Sequence, residues 1–209
     1  MYRLTLIFLS VFFVSSCATK NVSKDFSLSP QTDKGLVVGS ITYSGSYSGY
    51  SVTYHQAPNG ISGRFQSGQT NVIVPYFPAG EFEAMGIKGN LIAAELPAGD
   101  YEINSWNVGS GAAAVRPTLP FSIKFHVTPG KAVYVGNFHF TQLASMGLTI
   151  TGAKVDYRDM RTRDIEVLSS NYPSLSTVPI ESSIDAGKEV AELGGKYHTT
   201  ITITVPVAN

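Results

Sequence analysis

The stretch that decides the fold class is Phe121-Ser122-Ile123-Lys124-Phe125-His126-Val127-Thr128-Pro129-Gly130-Lys131-Ala132-Val133-Tyr134-Val135-Gly136-Asn137-Phe138-His139-Phe140. Thr128-Pro129-Gly130-Lys131 has Pro second and Gly third, as a type II turn demands. Folding the chain there predicts a β-hairpin in which Val127 meets Ala132, Phe125 meets Tyr134, Ile123 meets Gly136 and Phe121 meets Phe138. Side chains alternate along a strand, so these residues share one face, and a one-residue slip would scatter them. Both arms are accounted for by one register.

Outward from this segment the texture is uniform. Short β-branched or aromatic runs are punctuated by Gly and Pro, the pattern of an all-β domain. Strands are expected at Gly35–Tyr43, Ser51–Gln56, Thr70–Pro75, Asn90–Leu96, Asp100–Val108, Leu148–Tyr157 and Thr199–Val205. In the last, Ile201, Ile203 and Val205 alternate with threonines, as in a half-buried strand. Pro78-Ala79-Gly80 and Pro97-Ala98-Gly99, each followed by an acidic residue, an aromatic and Glu, read as reused turn chemistry. Two short helices are expected, over Thr162–Ser170 before Pro173 and over Ser183–Leu193 before Gly194-Gly195. The fold class is therefore an antiparallel β-sandwich over residues 35–209, with at most two short helices towards its C-terminal part.

The N-terminus carries a different message. Met1-Tyr2-Arg3 is a positive start, Leu4 to Val14 an uncharged apolar run, and Ser15-Ser16 a narrow exit. That is the layout of a secretory signal, too short to span a bilayer. Val14-Ser15-Ser16-Cys17 resembles a bacterial lipobox. The resemblance implies cleavage before Cys17, a diacylglyceryl group on its sulfur and usually an acyl group on the new amine. Residues 1–16 are then signal peptide and Cys17 the lipid-attachment site. Two or more chains anchor stably where one holds only marginally. The competing reading is soluble secretion, for which Ser16-Cys17-Ala18 supplies a small-x-small cleavage site. Lipidation also explains why an exported chain has a single cysteine. Asp after the cysteine is the usual inner-membrane retention signal in enteric bacteria. Ala18 stands there instead, which implies outer-membrane residence. The polar stretch from Cys17 to Lys34 reads as a flexible tether, roughly 20–25 Å in reach.

Leu96-Pro97-Ala98-Gly99-Asp100-Tyr101 and the Phe-x-Val-x-Pro-Gly-Lys-x-x-Tyr-Val-Gly run from Phe125 to Gly136 resemble bacterial lipoproteins with a transthyretin-like or carboxypeptidase-regulatory-like β-sandwich. The likeness covers residues 35–157. It implies a fold, and domains of that group mostly have no assigned activity.

Without Arg3 the basic residues number fourteen against fifteen acidic ones, which offers no footprint for nucleic acid and no polybasic patch for anionic lipid. Gly109-Ser110-Gly111-Ala112-Ala113-Ala114 fits a dinucleotide fingerprint only formally, since Pro117 and Pro120 follow where a helix is needed, and no cofactor is expected. His55, His126, His139 and His198 are scattered, so no metal site is expected. Gly45-Ser46-Tyr47-Ser48-Gly49 puts tyrosine where a nucleophile elbow needs serine. Arg158-Asp159 to Arg163-Asp164 reads as a solvated charged segment. No enzyme signature emerges. The one candidate binding stretch is Tyr43–Tyr54, whose Tyr43, Tyr47, Tyr50 and Tyr54 among Ser and Gly suit a binding loop and could stack on sugar faces; alternatively these rings cover a sheet face. The sequence thus predicts a lipid-anchored envelope protein with a non-catalytic binding or assembly role, its partner another envelope protein. A glycan- or peptidoglycan-binding module and an unrecognised hydrolase are the alternatives.

Overall fold

The computed structural model describes residues 18–58, 60–70 and 79–202. In chain order the elements are β1 (Lys34–Ser44), β2 (Gly49–Gln56), β3 (Ser62–Ser67), β4 (Lys88–Pro97), β5 (Gly99–Ser110), β6 (Ala113–Pro117), β7 (Ile123–Val127), β8 (Ala132–Met146), β9 (Thr149–Arg158), α1 (Arg161–Asn171), β10 (Ile180–Ser182), β11 (Glu189–Val190) and β12 (Tyr197–Ile201). They form an all-β sandwich of two sheets. One runs β4-β1-β8-β9-β11, with β10 also on β8; the other runs β3-β2-β5-β6-β12, with β7 also on β5. All pairs are antiparallel except β1–β8 and β10–β8.

The inner faces meet in an aromatic core. Tyr43 of β1 stacks on Tyr50 of β2 at 4.3 Å between ring centroids, and Phe140 of β8 lies 5.3 Å from Tyr50 and 6.1 Å edge-on from Trp106. Tyr54 continues this layer against Phe65 and Tyr101, and Tyr101 stacks on Phe125. The indole N–H of the fully buried Trp106 donates to the Leu193 carbonyl at 2.7 Å, so its polar edge is satisfied.

The hairpin expected over Phe121–Phe140 does not form. Its turn is present: Lys131 N–H donates to the Thr128 carbonyl at 3.2 Å and Gly130 has φ of +67°. The two arms, however, join different sheets, β7 pairing with β5 and β8 with β1 and β9. The turn is an arch over the core. The shared face read for Phe125 and Tyr134 is lost as well: Phe125 stacks on Tyr101 in the core, whereas the Tyr134 hydroxyl donates to Asp164 of α1. The register also breaks at Gly136, with φ of +97°, opposite the shift between Val38 and Ser40. Tyr134 consequently reaches the outer side of its sheet, while Phe138 and Phe140 face inwards. Leu96-Pro97-Ala98-Gly99 likewise carries the chain from one sheet to the other.

Other expectations divide. Strands β1, β2, β4, β5 and β9 fall where the sequence places them, and α1 covers the expected Thr162–Ser170. Most of Thr70–Pro75 lies outside the described residues. Ser183–Leu193 is not helical: it holds a turn and β11, because Gly187 N–H and Glu192 N–H are drawn to Asp159 and Asp156. Of the expected Thr199–Val205, β12 holds Thr199 to Ile201, with Ile201 46% accessible, and Ile203 and Val205 lie outside the described residues.

Residues 18–33, read as a free tether, run along the domain. Ala18 bridges Arg64 of β3, and Thr19 N–H donates to the Arg64 carbonyl at 2.9 Å. Val22 N–H donates to the Ala93 carbonyl of β4, while Asn21 donates to the Leu91 carbonyl and accepts from Ala93 N–H. The segment thereby joins the outermost strands of both sheets on one side of the sandwich and satisfies backbone groups that an open edge would present. Asn21, a short polar residue that suggests a solvated coil, here caps the β4 edge, and the segment's other edge bonds come from its backbone.

Candidate functional site

The four candidate tyrosines do not form a surface site. Tyr43, Tyr50 and Tyr54 are buried in the inter-sheet core, and only Tyr47 is half-exposed, beside Gly68 in the β1–β2 turn region. Burial pushes the phenols of Tyr43, Tyr47, Tyr50 and Tyr54 upward. The Tyr50 hydroxyl donates to the Ser46 carbonyl, bracing the turn from below. The rings of Tyr43, Tyr50 and Tyr54 fill the space between the two sheets, neither lining a binding loop nor covering the face of a solvent-exposed hairpin. Cys17 lies outside the described residues.

The polar chemistry gathers instead on the outer face of the β4-β1-β8-β9 sheet. Pairing sets Ser40 beside Asn137, Thr42 beside His139 and Ser44 beside Thr141. α1 lies over the first of these rows. Asp164, fully buried, accepts from Ser40 Oγ at 2.6 Å and from the Tyr134 hydroxyl at 2.8 Å on Oδ2, and from Arg163 Nε and Nη2 at 2.9 and 2.7 Å on Oδ1. Burial raises the Asp164 carboxyl, while Arg163, Ser40 and Tyr134 hold it down. The Arg163 guanidinium also covers the ring of buried Phe82 at 4.8 Å. Asn137 Nδ2 donates to Ser40 Oγ at 2.7 Å and Thr42 Oγ1 at 3.0 Å, which carries the network to His139. The charged stretch read as solvated is therefore a lock between helix and sheet. No spacing in the sequence reveals this, because the hydroxyls that meet Asp164 come from Ser40 and Tyr134, 124 and 30 residues earlier in the chain.

The network surfaces at His139. Its Nδ1 lies 2.9 Å from Thr42 Oγ1 and its Nε2 3.1 Å from the exposed Ser44 Oγ. Burial holds the imidazole below its ordinary range, and Arg158 adds to the effect. A hydroxyl beside an imidazole is half of a nucleophilic arrangement, but Nδ1 here meets a hydroxyl and not the carboxylate that orients a triad histidine. Asp156 is held elsewhere, accepting from Arg158 Nη2 and Glu192 N–H.

Ser44 opens onto a shallow groove between the β1–β2 turn and the β8–β9 hairpin, lined by Ser44, Gly45, Ser46, Lys88, Thr141 and Gln142. Gln142 Oε1 accepts from Ser46 N–H at 2.8 Å and Lys88 Nζ donates to the Gly45 carbonyl at 2.8 Å. β1 ends at Ser44 opposite Thr141, and β8 and β9 continue past it as a two-stranded finger. Leu143, Met146 and Leu148 are 53%, 64% and 89% exposed on this finger. No charged residue occurs between Phe140 and Lys154. Glycine-rich 109–111 is the β5–β6 hairpin, which meets the finger close to its turn, where Ser110 Oγ accepts from Ile150 N–H. Among the described residues no three His, Cys, Asp or Glu side chains converge as metal ligands, and no helix is long and apolar enough to cross a membrane.

Comparison of the chain with known protein families, curated proteins and solved structures found no match.

Proposed function

We propose that this chain is a lipid-anchored protein of the bacterial envelope, held at the outer membrane through Cys17, and that its sandwich binds another envelope protein without catalysing a reaction. The lipobox and the resemblance to transthyretin-like lipoprotein domains support the anchoring. The observation that carries the binding role is the finger: three large apolar side chains on one uncharged hairpin tip, beside a polar groove. Exposed apolar side chains scattered singly need no explanation, but grouped ones mark contact surfaces.

Photo-crosslinking in intact cells tests this. Benzoylphenylalanine at Leu148 and at Leu143 should trap the same envelope protein, identified by mass spectrometry, while the label at exposed Asp185 should not. Adducts absent at both tip positions, or identical at Asp185, would dismiss the reading.

A glycan ligand is the second reading. The hydroxyl and amide lining of the groove favours it, although the tyrosine rings expected to stack on sugars are buried. A glycan array probed with the native protein and with Gln142→Ala separates the two.

A further inference from the structure

The point at which the chain upstream of residue 18 meets the domain is fixed by hydrogen bonds. Ala18 pairs in parallel with Arg64, Thr19 N–H donates to the Arg64 carbonyl, and Thr19 Oγ1 lies 2.7 Å from the Tyr54 hydroxyl. Parallel pairing sets direction. The chain arriving at Ala18 comes from the side of Ser62 and Ile61, the end of the sandwich where the β2–β3 turn lies. Ile61 is 45% exposed there, three residues or about 10 Å along the strand from Arg64. The Arg64 guanidinium makes no ion pair among the described residues, whereas Lys34 and Lys131 at the same end are paired with Glu95 and Glu181. The finger stands at the opposite end, since β8 starts beside the Thr128–Lys131 arch and runs fifteen residues to Met146, about 45–50 Å.

We infer that the bilayer carrying the anchor is met by the β2–β3 end of the sandwich, with Ile61 and Arg64 against it and the β8–β9 finger directed away. This rests on the lipid-anchor reading. The occupant follows from chain length. Cys17 is one residue from a residue already bonded to β3, so its acyl chains enter the membrane within a few ångströms of the β3 edge, without the slack a coil would give. An isoleucine at that depth lies in the apolar part of the interface, and a guanidinium on a long stem reaches headgroup phosphates.

The test uses the full lipidated chain in vesicles of phosphatidylethanolamine and phosphatidylglycerol. Lipidated Cys17 has no free thiol and is the only cysteine, so Ile61→Cys or Leu148→Cys supplies a single site for an NBD label. A nitroxide-bearing lipid should quench the label at position 61 several-fold more than at 148, and aqueous iodide should show the reverse order. Equal quenching at both positions, or stronger lipid quenching at 148, overturns the orientation. If the unsubstituted protein takes up the label and fails to float with vesicles, the anchor reading fails, and the orientation with it.

Discussion

Ser40 and Asp164 stand 124 residues apart in the chain and 2.6 Å apart in the fold, a hydroxyl of β1 donating to a carboxylate of α1. Asp164→Ala would leave the Arg163 guanidinium and the Ser40 and Tyr134 hydroxyls without their acceptor. Removing one partner of a buried ion pair costs about 3–5 kcal/mol. The urea midpoint of Asp164→Ala should fall accordingly. Ser40→Ala, which leaves the ion pair intact, should cost about 1–3 kcal/mol. Equal, small losses in both would mean that the helix docks by packing alone.

His139 makes stability sensitive to acid. Its folded-state imidazole binds a proton less readily than an unfolded one, with burial the main cause and Arg158 the next. On acidification below the ordinary histidine value of 6.5, the unfolded chain is protonated first, so stability contributed by neutral His139 declines as pH falls. In an NMR titration the His139 ring should change state below 6.5. His139→Gln should flatten the fall in urea midpoint between neutral and mildly acid pH. A midpoint for His139 above 6.5 would refute this.

At the arch between β7 and β8, Gly130→Val should destabilise the protein by about 1–3 kcal/mol, the range for a strained backbone. Its φ of +67° resists a β-branched residue, and an added Cβ would lie 2.6 Å from Pro30 Cα of the docked N-terminal segment. An unchanged urea midpoint would contradict the turn geometry.

Cys17→Ser should abolish incorporation of a clickable palmitate and leave the precursor uncleaved or the product unlipidated. Gradient fractionation should place the native protein with outer-membrane markers, in keeping with Ala18. Equal labelling of the variant, or co-migration with inner-membrane markers, counts against the respective assignment.

What the sequence reveals here is local. Alternation at Phe125–Val127 and Ala132–Tyr134 identifies two strands, and Pro129-Gly130 identifies the turn between them. Alternation states which residues of one strand share a face and is silent on which strand lies alongside and on which face meets the core, so a hairpin and an inter-sheet arch read alike, and Tyr134 falls under α1 instead of beside Phe125. The same limit explains the tyrosines. Tyr, Ser and Gly suit a binding loop and equally a strand whose rings fill a core, and only the position of Phe140 and Trp106 decides between them. Asp164 was illegible for a further reason. Arg163-Asp164 looks solvated in any local window, and its burial depends on Ser40 and Tyr134, contributed by two distant strands. The finger is the opposite case. Its lack of charge from Phe140 to Ala153 is visible in the sequence, but its exposure follows from β1 ending at Ser44, a property of another strand.

The parallel pairing of β1 with β8 has a consequence for how the chain comes into being. β1 precedes every other strand among the described residues, yet its two neighbours begin at Lys88 and Ala132. A chain emerging from its N-terminus therefore carries the Leu36-Val37-Val38 run with both edges unclaimed while the next two strands, β2 and β3, are made. The central pair of its sheet cannot close until Thr141 is available to Ser44. Contacts of such long sequence separation slow folding. Folding of this sheet is necessarily late, and the β8 side of β1 stays unpaired until that strand is made.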